Sequence, residues 1–372
     1  MKQETPPALR FLDEAIAALG RKGLLRTRPD PLPPGALSFC SNDYLGLASE
    51  PAPGGPSGAG ASRLVAGERA EHGRLERAAA ELVGMPEALA FTSGFAANVG
   101  VLGALAGPGD LIVSDALNHA SLIDGARLSR ARIEVVPHLD VGAVARAIAG
   151  RGSGRAFVVT ESYFSMDADS PDLADLRRVC DSHGACLIVD EAHALGVLGP
   201  DGRGLCAQAG IRADALTGTF GKAFGAAGAF VAGCSPLIHW LWNRARTFVF
   251  STGLSPAVAA AAYAGLERAR REPERRERVL AAAEQLRAAL GQLRVRTLGF
   301  GHIIPWVVGE PGPAVSIAEA LTAQGLDVRA IRPPSVPTGT ARLRLTVSAA
   351  HTAADIERLA GAIAKQLDQG RP

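Results

Sequence analysis

The chain is 372 residues long, 47% hydrophobic and 20% charged, which excludes a disordered polymer and leaves enough apolar mass for a large core and two domains. Its net charge of +2, from 39 basic and 37 acidic residues, excludes an obligate nucleic-acid binder, because no single-sign field stands out to hold a phosphate backbone. Five cysteines, an odd count with no Cys-x-x-Cys pair, fit the reduced thiols of a cytoplasmic protein rather than a disulfide framework or a zinc site.

In chain order, Met1 to Pro7 carry no apolar stretch, so no secretory leader is expected. Leu12, Ala15, Ile16 and Leu19 fall on one face of a short helix. Pro- and Gly-rich sequence follows at 29–35 and 51–60 and reads as loops. From about residue 70, helical stretches alternate with short apolar runs, predicting strands over 88–91, 111–114, 156–160, 186–190, 215–219, 229–232 and 248–251. Continuous apolar strands separated by helices predict a mostly parallel sheet covered on both faces. The last two runs have little between them, so an antiparallel edge strand is expected there. An Ala-rich stretch from Ser255 to Leu293 predicts two helices broken near Pro273, with Val279, Leu280, Ala283, Leu286, Leu290 and Leu293 as its apolar stripe. Strands over 303–308, 327–331 and 341–346, with helices over 314–324 and 353–366, then predict a small α/β unit. No apolar run reaches the length of a membrane span.

The run Thr219-Phe220-Gly221-Lys222-Ala223-Phe224-Gly225 carries the most chemical information. It sets one lysine among small residues, where a large flat group can approach the backbone. Upstream, Leu187-Ile188-Val189-Asp190-Glu191-Ala192-His193 is an apolar strand that ends in an aspartate, with a histidine three positions on. A lysine to form a Schiff base and an aspartate to keep a pyridine nitrogen protonated are what pyridoxal 5'-phosphate requires. Asp190 to His193 also spells a helicase box, but Gly221-Lys222 lacks the other residues of a phosphate-binding P-loop. Gly58-Ala59-Gly60 follows no strand and is no dinucleotide fingerprint. Eight histidines are scattered without ligand spacing, so no metal is expected.

These two segments resemble the α-oxoamine synthases, enzymes that use pyridoxal 5'-phosphate to condense an amino acid with an acyl thioester. The resemblance extends over Ser41-Asn42-Asp43-Tyr44-Leu45-Gly46-Leu47, Ser62-Arg63-Leu64-Val65-Ala66-Gly67, Ser93-Gly94-Phe95-Ala96-Ala97-Asn98, Asn118-His119-Ala120-Ser121 and Glu161-Ser162-Tyr163-Phe164-Ser165-Met166-Asp167. Toward the C-terminus it takes in Ser251-Thr252 and the run from Ile331 to Arg344. It covers nearly the whole chain.

The resemblance implies an α/β protein of the aspartate-aminotransferase type (fold type I): an arm over 1–50, a large cofactor domain over 51–260 and a small C-terminal domain over 261–372. It implies Lys222 as the Schiff-base lysine, Asp190 as partner of the pyridine nitrogen, and His193 with Ser165 at the cofactor's phenolic oxygen. His119 is implied as the ring-stacking histidine, also near the substrate. The phosphate is assigned to the amides of Gly94 and Phe95, the Thr219 hydroxyl, and Thr252 from a second subunit, which makes the site interfacial in a homodimer. For substrate, Arg344 is implied at the amino-acid carboxylate, Arg26 (with Arg28 as competitor) at the acyl group, and Asn42 and Ser335 beside them. Ser335 stands where threonine is frequent, Phe250 where tyrosine is expected, and Ala194 where glycine or serine is usual. Ile331-Arg332-Pro333-Pro334 resembles the members that join L-alanine to a pimeloyl thioester, on CoA or acyl-carrier protein, rather than those that join glycine to acetyl-CoA. A silent cofactor-binding protein is the alternative of another class. No nucleic acid or membrane partner is expected, and the expected location is the cytoplasm.

Overall fold

A computed structural model describes residues 5–26, 28 and 31–369. Residues 1–4, part of the 1–7 stretch read for a leader, and residues 29–30, which open the expected 29–35 loop, lie outside the described residues. The dipeptide Leu37–Ser38 is β1. Then β2 (Glu87–Phe91), β3 (Leu111–Asp115), β4 (Arg132–Val136), β5 (Ala156–Glu161), β6 (Cys186–Asp190), β7 (Ala215–Thr219) and β8 (Ala229–Gly233) build one sheet in the order β2-β8-β7-β6-β5-β3-β4. Strand β8 runs antiparallel to both neighbours, and the other pairs are parallel. Beyond it, β9 (Ile303–Gly309), β11 (Ala330–Ile331) and β12 (Ala341–Thr346) form a three-stranded antiparallel sheet, while β10 (Leu326–Asp327) pairs in parallel with β1.

The large sheet is apolar on both faces because successive side chains alternate across it. Leu187 and Val189 of β6 enter one core with Leu216, Phe220 and Phe230, while Ile188 enters the opposite core with Phe157, Val159 and Val231. Strands β3, β5, β7 and β8 are buried at every position, as continuous apolar runs require. Helices Pro256–Arg271 and Glu274–Gln292 break at Pro273 as expected.

Three expectations need correction. Residues 248–251 are not a strand. Helix Ser235–Arg244 is followed at once by helix Arg246–Val249, from which Phe248 packs on Phe91 and Trp242, with ring centroids 5.7 and 5.0 Å away. Strand β8 is antiparallel but not at the edge, because β2 covers it. The expected strand over 327–331 divides into β10 and β11, which pair with different partners. Strand β4 was not anticipated. As the far edge of the sheet it is mostly exposed, and Arg132 and Glu134 interrupt its apolar pattern. The N-terminal helix forms over Phe11–Arg21, yet Leu12, Ile16 and Leu19 remain exposed.

One glycine fixes how the N-terminal segment meets the lysine loop. Gly225 has φ +64°, and a Cβ there would lie 2.4 Å from the Leu47 carbonyl carbon and 2.6 Å from the Ala48 nitrogen. The backbone after Tyr44 therefore lies directly against the turn that carries Lys222. Gly225→Ala combines a left-handed backbone with a backbone clash. It is expected to lower unfolding free energy by about 2–4 kcal/mol, seen as an earlier denaturation midpoint. An unchanged midpoint would show that the two segments do not depend on this contact.

Candidate active site

Four strands of the parallel part of the sheet end in a polar residue: Asp115 on β3, Glu161 on β5, Asp190 on β6 and Thr219 on β7. Carboxyl ends of parallel strands are where open α/β sheets gather ligands. Asp190 is 7% exposed. One of its oxygens accepts from Asn98 Nδ2 at 2.6 Å and the other from the Ala192 amide at 2.8 Å.

Lys222 Nζ lies 2.7 Å from His193 Nε2, and His193 Nδ1 lies 2.8 Å from the Tyr44 hydroxyl. That hydroxyl is also 3.0 Å from Asn42 Oδ1 and 3.2 Å from a guanidinium nitrogen of Arg344. Burial pushes the Lys222 amine down to about 8, although Asp190 and Glu161 oppose the shift. Burial, helped by Lys222 and Arg344, holds His193 well below its ordinary value. A neutral His193 admits one assignment of hydrogens that leaves no atom idle. Lys222 donates to Nε2, Nδ1–H donates to the Tyr44 oxygen, and Tyr44 O–H donates to Asn42. Arg344 then fills the remaining acceptor site of Tyr44. The chain runs from a half-buried amine to a buried guanidinium.

A second chain reaches Asp190 from the other side. His119 caps helix Ala120–Ser129, with its Nδ1 2.7 Å from Ser121 Oγ. Ser121 Oγ accepts from Asn98 Nδ2 at 2.9 Å, so the Asn98 amide spans Ser121 and Asp190. The His119 amide donates to Glu161 Oε1 at 2.7 Å. Burial, then the charge of Asp190, pushes Glu161 up to about 8. His119 is held below its ordinary value by partial burial and lines a cleft of about 560 Å³ with Glu161, Phe164, Ser165 and Ser335.

The small sheet supplies the cations. Arg342 and Arg344 are alternate residues of β12 and are both buried. Arg344 Nε donates to the Ser165 carbonyl at 2.7 Å, and Arg342 donates to the Met166 carbonyl at 2.8 Å and to Asp167 Oδ1 at 2.7 Å. Behind Tyr44, the fully buried His302 ring packs edge-on with centroids 4.1 Å apart and is pushed down to about 3 by burial.

Gly94 opens helix Gly94–Leu105 behind Ser93, whose Oγ accepts from the Ala96 amide. The first intrahelical bond runs from the Ala97 amide to the Ser93 carbonyl, so the Gly94 and Phe95 amides precede the helix's own pairing. A Cβ at Gly94 would meet nothing within 4 Å. The Thr219 hydroxyl donates to the Gly228 carbonyl at 3.0 Å and accepts from the Gly221 amide at 3.1 Å.

Two expected residues stand apart from this cluster. Arg26 is exposed and lines a separate hollow of about 500 Å³ with Leu19, Leu25, Ile331 and Arg332. Ser335 lines both hollows. Thr252 is exposed, and among the described residues no hydrogen bond joins it to the cluster. The cluster also contains Tyr44, Glu161, Asn98 and Ser121, to which no role was given from the sequence. All four lie inside motifs already singled out, and the missing signal was their contact with Asp190, His193 or His119.

The family model described as aminotransferase class I and II matches residues 34–363. The chain is 45% identical to the 8-amino-7-oxononanoate synthase of Alkalilimnicola ehrlichii over 97% of its own length and 98% of that protein's. Serine palmitoyltransferase from S. paucimobilis, solved with bound PLP–myriocin aldimine, superposes with a TM-score of 0.89 at 26% identity, covering 99% of each chain. The crystal structure of 8-amino-7-oxononanoate synthase from Francisella tularensis gives a TM-score of 0.76 at 25% identity, covering 90% of this chain and 98% of that one.

Proposed function

The chain belongs to the class I and II aminotransferase family, and from that premise we propose that it makes 8-amino-7-oxononanoate for biotin biosynthesis. The reaction is the decarboxylative condensation of L-alanine with a pimeloyl thioester, releasing CO2 and the free carrier, either CoA or acyl-carrier protein. The observation that carries it is the unbroken path from Lys222 through His193 and Tyr44 to Arg344, beside Asp190. That path puts an amine of lowered basicity within the same buried network as a cation for a carboxylate.

Pyridoxal 5'-phosphate is the cofactor, and the donor set fits it. The site has a half-buried amine near neutrality, a carboxylate fixed by Asn98, and an open helix start at Gly94 without a side chain. The chemistry it supplies when bound is an electron sink for the α-carbon of the amino acid. Lys222 would hold the cofactor and, as a free amine, would take the proton from that carbon. Asp190 would keep a proton on the cofactor's ring nitrogen. His193 and Ser165 would hold its phenolic oxygen, and His119 would flank the group and orient the incoming amino acid. The Gly94 and Phe95 amides would hold the phosphate, with the Thr219 hydroxyl once it turns from the Gly228 carbonyl. Arg344 binds the alanine carboxylate in a bidentate fork, with Asn42 setting Tyr44 behind it. Arg26 and Ser335 meet the acyl chain.

Phe95, Val65 and Phe250 are exposed apolar side chains at 49%, 80% and 73%. They support a homodimer in which Thr252 completes the partner's phosphate site. We assign the arm, cofactor domain and small domain to 1–50, 51–260 and 261–372. No helix among the described residues is long and apolar enough to cross a membrane, and we place the protein in the cytoplasm.

The test is release of free carrier by cofactor-loaded protein given L-alanine or glycine, each with pimeloyl-CoA or acetyl-CoA. Turnover confined to L-alanine with pimeloyl-CoA supports the proposal. A preference for glycine with acetyl-CoA replaces it with glycine C-acetyltransferase. If all four pairs are silent, pimeloyl-acyl-carrier protein decides between a carrier-specific enzyme and a non-catalytic protein.

A further inference from the structure

We propose that His138 is a positioning residue for the amino-acid pocket, bridging Asp115 to Asp169 and so fixing the loop over 162–169 that orients Arg344 and Arg342. The inference rests on the substrate role given to Arg344 above.

His138 follows β4 at the edge of the large sheet. Its Nδ1 lies 2.8 Å from Asp115 Oδ1, and its Nε2 lies 3.2 and 3.3 Å from the two oxygens of Asp169. Both ring nitrogens face carboxylates, so both must donate and the ring is an imidazolium. Burial alone would push it down, but the two carboxylates override this and hold it up at about 10. The ring also packs perpendicular to Phe164, with centroids 4.5 Å apart.

The two ends of the bridge differ in kind. Asp115 is anchored at the end of β3, where it accepts from the Leu117 amide at 2.8 Å and the Leu139 amide at 2.9 Å. Asp169 closes the loop instead: its carbonyl accepts from the Phe164 amide at 2.9 Å, and the Ala168 amide returns to the Phe164 carbonyl at 2.8 Å. Between those closures the loop presents the Ser165 carbonyl to Arg344 and the Met166 carbonyl and Asp167 carboxylate to Arg342. His138 thus ties a rigid strand end to a segment that accepts from both guanidinium groups. Packing alone would need only a ring at this position. A doubly paired cation fixes the loop in direction as well as distance.

The experiment uses cofactor-loaded His138→Gln and Asp169→Asn proteins. Asp169 is partly exposed at the surface end of the bridge, so its variant provides the test should His138→Gln fail to fold. Amide hydrogen exchange is compared between 162–169 and the β6 strand, and KM for L-alanine and for pimeloyl-CoA is measured beside kcat. Faster exchange confined to 162–169 is expected, with KM for L-alanine raised about 10- to 100-fold and KM for pimeloyl-CoA within about 2-fold. Unchanged exchange in the loop, exchange raised equally throughout, or an unchanged KM for L-alanine overturns the proposal. Because exchange is read without turnover, an inactive wild-type protein sinks the proposed reaction while the bridge is still decided.

Discussion

Lys222→Ala is expected to abolish the visible absorbance of cofactor joined to protein and to lower turnover by about 10³-fold or more. Lys222 is the amine that the His193–Tyr44–Arg344 path delivers to the site. The same substitution should leave the apo-protein at least as stable at pH 7. The sign follows from the folded value of about 8 against an ordinary 10.5. The unfolded chain holds its proton more tightly, so a protonated Lys222 strains the fold. That penalty is complete below pH 8, fades as pH rises to 10.5 and is absent above it. Wild-type apo-protein therefore gains stability over that window, and the alanine variant does not. Retention of the absorbance, or turnover within tenfold of wild type, would remove Lys222 from its assigned role. A large loss of stability at pH 7 would mean that inactivity came from unfolding.

Asp190→Asn is expected to lower kcat by about 10²- to 10⁴-fold at saturating substrates. The carboxamide keeps the shape but turns a donor toward either Asn98 Nδ2 or the Ala192 amide, which now meet carboxylate oxygens. It also removes the charge that raises Lys222 and Glu161, so both should titrate lower than in the wild type. Hydrogen bonding and charge can be separated by pairing Asp190→Asn with Asn98→Asp. The double variant restores a carboxylate–carboxamide pair but moves the charge from the strand end to helix Gly94–Leu105. Continued inactivity assigns the effect to charge at residue 190. Recovery to within about threefold of wild type would show that Asp190 serves only to hold Asn98.

The sheet was readable wherever strands are buried on both faces, because nothing polar interrupts runs such as Ala156–Glu161 or Cys186–Asp190. It was unreadable at β4, where Arg132 and Glu134 belong to a solvent-facing edge. At 248–251, an apolar Phe248 suited a strand as well as the helix it occupies, and only its contacts with Phe91 and Trp242 distinguish the two. Within the site, Lys222, Asp190 and His193 were legible from local spacing, since each sits at or just past a strand end. Tyr44 and Glu161 were not. Tyr44 acts through partners 149 and 300 residues away, and Glu161 through the His119 amide 42 residues away, so no local pattern marks either.

The bond between Tyr44 and Arg344 spans 300 residues, and β1 meets a strand that ends at Asp327. At about 5–20 residues per second, Tyr44 is added to the chain roughly 15–60 s before Arg344. The seven-stranded sheet, complete by Gly233, has its strands well before then. Within that interval His193 and the turn at Gly225 already give the segment around Tyr44 its first partners, while the guanidinium is still missing. The pocket proposed for the amino acid is therefore finished only as synthesis ends. A chain cut short before β12 would contain Lys222 but lack the guanidinium proposed to meet the amino-acid carboxylate.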